Sequence, residues 1–220
     1  MPSIELIAVV PDQAYMDATA RAMIKSYSVF PHFDKLAIIC PPNRTVNDWS
    51  PFNIRVADFS FENYSEFMVK KLVNYMECDY CLCMQWDSCI IDASKWTEEF
   101  LDYHYIGACW TNPFVNRVGN GGYSLRHYKF LEESAKLDYI KTDNPIANNE
   151  DIVSCVINYE KMVAAGVKFA PISLARQFSV ERPILESPHD YEDINTYNSF
   201  GAHGQFNSGL MRFINDTRNT

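Results

Sequence analysis

The sequence predicts an α/β fold: a mixed, mostly parallel sheet flanked by helices. Three observations carry that reading. Short apolar runs with strand character alternate along the chain with segments of helical period, the pattern of a sheet covered by helices. The run Tyr80-Cys81-Leu82-Cys83-Met84 stops abruptly at Gln85-Trp86-Asp87, and open α/β sheets bind ligands at the carboxyl ends of their strands. No internal repeat, low-complexity tract or linker divides the chain, so residues 1–220 read as one domain.

The elements follow in order. Ile4 to Val10 is nearly all apolar, as suits a strand buried on both faces. Pro11 and Asp12 open a helix whose Met16, Ala20, Met23, Tyr27 and Phe30 recur at steps of three and four. Lys35 to Cys40 is a second strand, closed by Pro41-Pro42, and a short strand near Ile54 to Val56 leads to Asp58. Ser60 caps a helix carrying Tyr64, Phe67, Met68, Leu72, Tyr75 and Met76. After the strand that ends before Gln85, a short helix begins at Asp92-Ala93-Ser94, and Tyr105 to Ala108 is a brief strand. A glycine-rich segment precedes the strand Tyr123 to Leu125 and a helix over 128–136. The clearest helix starts near Asn149, carries Ile152, Val153, Val156, Ile157 and Val163, and stops at Gly166. Val167 to Pro171 reads as one more strand, and residues 177–220 as a loop-rich segment.

Composition narrows the function. A hydrophobic content of 47% supports a full core, while a net charge of −9 argues against a general nucleic-acid or anionic-membrane binder, which needs a positive field. The seven cysteines, an odd number, read as reduced, buried thiols, with Cys81 and Cys83 on one strand face. The N-terminus shows neither a signal peptide nor a membrane anchor, so the expected compartment is the cytoplasm.

Four groups of residues carry chemistry. Asp87, at a strand end, suits a hard divalent cation such as Mg²⁺ or Mn²⁺, or else caps the turn through Ser88. Gly119-Asn120-Gly121-Gly122 permits positive φ and close approach of a ligand, or makes a plain tight turn; it is neither a P-loop nor a dinucleotide fingerprint. Glu150 and Asp151 lie in the first turn of the strong helix, stabilised by its dipole, where a carboxylate can also act as a general base. His203, between Gly201-Ala202 and Gly204, is a metal ligand, a proton carrier or an exposed loop histidine.

In combination, Gln-Trp-Asp-Ser at 85–88, Trp-Thr-Glu-Glu-Phe-Leu at 96–101, Tyr-Ile-Gly-Ala at 105–108 with Trp110, Gly-Asn-Gly-Gly-Tyr-Ser-Leu-Arg at 119–126, Asn-Glu-Asp at 149–151 and Phe-Gly-Ala-His-Gly at 200–204 resemble a family of unknown-function domains regarded as glycosyltransferases. That family is similar to the GT-A class of nucleotide-sugar-dependent glycosyltransferases. The resemblance implies a GT-A-like fold, a nucleotide-sugar donor, expected to be a UDP-sugar, a carbohydrate or glycoconjugate acceptor, and a Mn²⁺ or Mg²⁺ cofactor. It places Asp87 at the last acid of the DxD metal motif, with Gln85 where the first acid is usual, and makes His203 the further metal ligand. Glu150 and Asp151 match the acidic pair where inverting enzymes carry their base, Asp151 being the favoured one. Trp110, Asn120, Gly121, Gly122 and Tyr123 match the lining of the sugar and acceptor sites, with Trp110 and Tyr123 as stacking faces. By fold analogy Val9, Val10, Pro11, Asp58, Gln85 and Trp86 surround the nucleotide, and Arg21, Lys70 or Arg126 contacts phosphate. The segment 177–220 is expected to lie over the site, closing as a lid. Two other readings stay open: a non-catalytic carbohydrate- or nucleotide-binding module, and a sugar nucleotidyltransferase, although Val10-Pro11-Asp12-Gln13 is no phosphate loop.

Overall fold

The computed structural model describes residues 2–45, 51–110, 114, 116–181, 197–205 and 207–216. Its centre is a six-stranded sheet in the order β3-β2-β1-β4-β7-β6. Strands β1 (Ile4–Val9), β2 (Lys35–Cys40), β3 (Asn53–Val56) and β4 (Tyr80–Met84) run parallel; β7 (Tyr123–His127) is antiparallel to both β4 and β6 (Tyr105–Gly107). β1 and β4 are buried along their whole length, which is why they read as continuous apolar runs rather than alternating ones.

Alternate residues of β1, β2 and β4 feed two cores. Leu6, Ala8, Leu36, Ile38, Leu82, Met84 and Leu125 face one side, where helices α1 (Met16–Val29), α6 (Ile172–Phe178) and α7 (Ser208–Asn215) contribute Met16, Met23, Phe178, Leu210 and Ile214. Ile7, Val9, Ala37, Ile39, Cys81, Cys83 and Tyr105 face the other, packed by Phe67, Met68 and Leu72 and by Phe130 and Leu131 of α3 (Tyr128–Lys136). Each such aliphatic side chain contributes ~1.5–3 kcal/mol on burial.

The turns begin as the sequence predicts. Asp12 accepts from Ala14 N at 3.0 Å and opens a 3₁₀ turn, Gln13–Tyr15, that runs into α1. Ser60 and Asn63 form a capping box before α2 (Tyr64–Lys70). That helix is shorter than expected: it ends at Lys70 and continues as a 3₁₀ segment, Leu72–Tyr75, although the predicted Phe67, Met68 and Leu72 still point inward.

The clearest predicted helix is the one most altered. It consists of α4 (Glu150–Ile152), a π-helical turn (Val153–Ile157) and α5 (Tyr159–Ala164), closed by Gly166 in the left-handed region at φ 81°. Asn158 caps the widened turn, its side-chain amide donating to Val153 O at 3.0 Å. The extra residue rotates the following turn, so Ile157 and Val163 are exposed while Cys155 and Met162 enter the core.

Among the described residues of the segment 177–220, two short strands and a helix form. β8 (Ser179–Val180) and β9 (Gly201–His203) join β5 (Ser88–Ile90) in a second, three-stranded sheet in the order β5-β9-β8. Helix α7 is capped by Asn207, whose side chain accepts from Leu210 N at 3.0 Å. These elements escape sequence reading because strands of two or three residues and a two-turn helix leave too little periodicity. Residues 182–196, 206 and 217–220, where much of the expected lid falls, lie outside the described residues. The expected strand over 167–171 is reduced to one parallel bridge, Tyr105 to Phe169.

Candidate active site at the carboxyl edge of the sheet

The second sheet delivers the first half of the site. Ser88 is paired with His203 across β5 and β9, and Gly204 N donates to Asp87 O at 2.9 Å, so the histidine is fixed on a strand beside the end of β4. His203 is therefore not the loop residue the sequence suggests. The turn after β4 is closed by Ser88, whose hydroxyl donates to Gln85 O at 2.8 Å and accepts from Gln85 N at 2.9 Å. Asp87 is thus not needed as a turn cap. Its Oδ1 stands 3.5 Å from His203 Nε2, and the same nitrogen lies 3.3 Å from Gln85 Oε1.

Asp87 and His203 are both largely buried, and Asp87 Oδ1 and His203 Nδ1 have no hydrogen-bond partner among the described residues. A buried carboxylate oxygen whose only partner is an imidazole nitrogen at 3.5 Å is incompletely satisfied and can take a further ligand. Burial alone would lower the His203 pKa; the carboxylate of Asp87, with Glu181 and Asp151 behind it, outweighs that and raises it. Carboxylate, imidazole and amide oxygen form a donor set suited to Mn²⁺ or Mg²⁺ completed by phosphate. Among the described residues no group of three His, Cys, Asp or Glu side chains could hold a metal ion.

The glycine turn before β7 builds the second half. Gly121 N donates to Asp151 Oδ2 at 3.0 Å, and Gly121 O accepts from Arg126 Nη2 at 3.2 Å. Arg126 also donates to Glu150 Oε1 at 3.2 Å and to Ser124 Oγ at 2.9 Å, with its guanidinium over the Tyr105 ring. Arg126 and Glu150 form a buried ion pair, which removes Arg126 from the candidates for phosphate and ties Glu150 down as its partner. Lys70 is likewise occupied, donating to Leu137 O, and Arg21 is exposed on α1. Burial, then the neighbouring Glu150 charge, raises the Asp151 pKa to about 7, against the amides of Gly121 and Ile152 and the Arg126 charge, which lower it.

The glycines serve close approach rather than special dihedrals. None of Gly119, Gly121 and Gly122 has positive φ. Instead, a Cβ on Gly119 would strike the Trp110 ring, one on Gly121 would strike Glu150 Oε1, and one on Gly122 would strike the His203 imidazole. The backbone of this turn is the wall between the Asp87–His203 pair and the Glu150–Asp151 pair. Asn120 is buried, and its side-chain oxygen accepts from Gly122 N at 3.2 Å, holding the turn.

Beside Gln85 lies a cleft of about 180 Å³ lined by Val9, Val10, Pro11, Tyr15, Thr19, Phe61, Tyr64, Met84, Gln85 and Trp86. Five of the residues expected around a nucleotide are among them. Tyr15 stacks on Trp86 at 5.6 Å, and Phe61 is 71% exposed at the rim. Tyr15, Phe61 and Tyr64 were not anticipated. Their signal was an aromatic near the start of the helical segment that follows a parallel strand, a position that the topology places at the carboxyl edge.

Tyr123 and Asp58 fall elsewhere, and Trp110 stays beside the glycine turn. Tyr123 is fully buried, its ring against Gly201 and Phe178, and offers no face to a sugar, because β7 alternation turns it into the opposite core from Arg126. Trp110 is partly buried against Gly119 and Phe114. Asp58 is exposed after β3 and does not line the cleft.

No helix among the described residues is long and apolar enough to cross a membrane. Comparison with curated proteins found no match. Among solved structures the chain is similar to the galactosyltransferase LgtC in complex with donor and acceptor sugar analogs, at 14% identity and a TM-score of 0.55, covering 95% of this chain and 93% of that one. An active-site mutant of LgtC matches equally, at a TM-score of 0.55. The apo form of the glycosyltransferase GlyE of Streptococcus pneumoniae TIGR4 matches at 10% identity and a TM-score of 0.53, covering 98% of this chain and 61% of that one. These likenesses establish a GT-A glycosyltransferase-like fold, in keeping with the mixed, mostly parallel six-stranded sheet. A family model matches residues 52–203, from β3 to His203 and so through Asp87, the glycine turn, Glu150 and Asp151, and the chain accordingly belongs to the family described as protein of unknown function (DUF5672).

Proposed function

We propose that this protein is a glycosyltransferase that moves a sugar from a nucleoside diphosphate donor, a UDP-sugar, to a hydroxyl of a carbohydrate or glycoconjugate acceptor, with inversion at the anomeric carbon. The observation that carries the reading is the buried Asp87 Oδ1, held only by His203 Nε2 at 3.5 Å and without a hydrogen bond among the described residues, next in the chain to Gln85 and Trp86 of the aromatic cleft. The cleft is smaller than the roughly 300 Å³ of a typical ligand pocket, so it takes the base, a pyrimidine in preference to a purine, and leaves diphosphate and sugar to the open edge.

Asp87 and His203 would hold Mn²⁺ or Mg²⁺, which when bound neutralises charge growing on the departing diphosphate. Asp151 takes the proton of the attacking acceptor hydroxyl; a carboxyl group with a pKa of about 7 is matched to that task at neutral pH. Glu150, paired with Arg126, stays charged and fixes the turn that carries Gly121. Gly121 and Gly122 let the Glu150 carboxylate and the His203 imidazole close on the turn from its two sides, which fixes both relative to the donor.

A thermal-shift panel of nucleotides and nucleotide sugars, with and without Mn²⁺, tests the donor class, and stabilisation by a uridine diphosphate is the expected result. No stabilisation by any member sinks the reading. Binding without transfer to any acceptor, in a protein whose Asp151→Asn variant binds equally, would favour the non-catalytic module. Proton NMR of the product tests inversion, and a retained configuration would remove Asp151 from the role of base.

A further inference from the structure

Asp87 and His203 provide two protein donors and one formal negative charge, which is sparse for a hard divalent cation. The residue two before Asp87, where an acid would be usual, is Gln85, and its side chain is not turned away. Its amide nitrogen donates to Tyr64 Oη at 3.4 Å, which leaves Oε1 facing His203 Nε2 at 3.3 Å. The main chain of Gln85 is itself fixed at both N and O by the Ser88 hydroxyl. Gln85 Oε1 and Asp87 Oδ1 therefore flank the same imidazole nitrogen, at 3.3 and 3.5 Å. Donors on adjacent positions of an octahedral cation with bonds of ~2.1 Å lie ~3 Å apart, so these separations need to close only by a few tenths of an ångström.

Taking the cation site of the proposed function as its basis, we propose that Gln85 is the third protein ligand, contributing a neutral amide oxygen in place of a carboxylate, with Tyr64 as the residue that orients it. A phenol oxygen that accepts from the amide NH₂ group selects the rotamer in which the carbonyl faces the site. The ligand set then carries one negative charge instead of two. Protein alone binds the cation weakly, and the diphosphate supplies the remaining charge, so cation and nucleotide bind cooperatively. Gln85 also lines the aromatic cleft, which places this ligand where the base pocket and the cation meet.

The test is a Mn²⁺ titration of the intact protein followed by electron paramagnetic resonance, without nucleotide and with saturating UDP. Gln85→Glu keeps the shape of the side chain and adds a charge; Mn²⁺ alone should bind about tenfold more tightly, and the extra tightening given by UDP should shrink. Gln85→Leu removes the donor and should weaken Mn²⁺ binding at least tenfold in the presence of UDP, with an unchanged circular dichroism spectrum showing that the fold is kept. Tyr64→Phe should weaken it several-fold, with Gln85 intact but no longer oriented. Nitrogen couplings from the imidazole should persist in every Gln85 variant that binds and vanish in His203→Ala. Wild-type Mn²⁺ affinity in both Gln85→Glu and Gln85→Leu, alongside loss in Asp87→Asn, would overturn the role of Gln85 while leaving the cation site standing. Absence of Mn²⁺ binding in the wild-type protein with UDP bound would overturn the inference and leave a cation-independent transferase, whereas absence of UDP binding as well would remove the proposed function itself.

Discussion

The Cα of Gly122 rests against the imidazole of His203, so closely that an added methyl group would lie well inside 3.0 Å of Cε1, Nε2 and Cδ2. The turn and the strand β9 thus set each other's position. Gly122→Ala should push the ring off Asp87, weakening Mn²⁺ binding by at least tenfold and lowering Tm by a few degrees. Gly204→Ala, strained by a φ of 125°, makes a useful contrast, since it should cost stability through backbone conformation. Titration with Mn²⁺ beside a melting curve separates the two effects.

Asp151 supplies the pH dependence. With its pKa raised to about 7 by burial and by Glu150, its carboxylate is protonated progressively below neutrality, so a transfer that uses Asp151 as the proposed base slows in acid. The value of kcat/KM should fall about tenfold per pH unit on the acid side of ~7. Asp151→Asn should lower kcat by ~10²–10⁴ and leave nucleotide binding intact. A profile flat from pH 5 to 8 in the wild-type enzyme would exclude Asp151 as the base.

The Arg126–Glu150 pair should matter first for stability. Arg126→Met strands a buried carboxylate and frees Gly121 O, at a cost of about 3–5 kcal/mol. For a chain of this size that lowers Tm by roughly 6–20 °C. The double variant Arg126→Met with Glu150→Gln should recover part of the loss, because no unpaired charge then remains. Urea unfolding of the four proteins of the cycle measures the coupling.

A second pH effect is expected far from the site. His104 Nδ1 accepts from Lys168 N at 3.0 Å, and burial, with the charges of His127, Lys129 and Lys168, lowers its pKa from 6.5 to about 4. The folded state disfavours the protonated ring, so the unfolded chain binds more protons between these values. Stability is therefore full above pH 6.5 and falls as pH is lowered toward 4. His104→Gln should flatten that part of the stability profile, measured by urea unfolding at pH 7.5 and pH 5.

What the sequence determined was the central sheet and the address of the site. The buried strands announce themselves because parallel strands covered on both faces must be apolar throughout, and the polar residues that interrupt them, Gln85 to Asp87, mark the carboxyl edge. Five of the cleft residues, the acidic pair and His203 could be named on that basis together with the resemblance. The roles within the site belong to the tertiary structure. Whether Asp87 caps a turn or awaits a ligand depends on Ser88 closing that turn instead. Whether Arg126 meets phosphate or Glu150, and whether Tyr123 faces a sugar or the core, follows from which side of β7 each occupies in the assembled sheet. His203 reaches Asp87 only because a three-residue strand pairs with β5, a contact across more than a hundred residues that no local period encodes. The glycines illustrate the division most directly: their presence was visible in the chain, but the side chain that each one admits was set by packing alone.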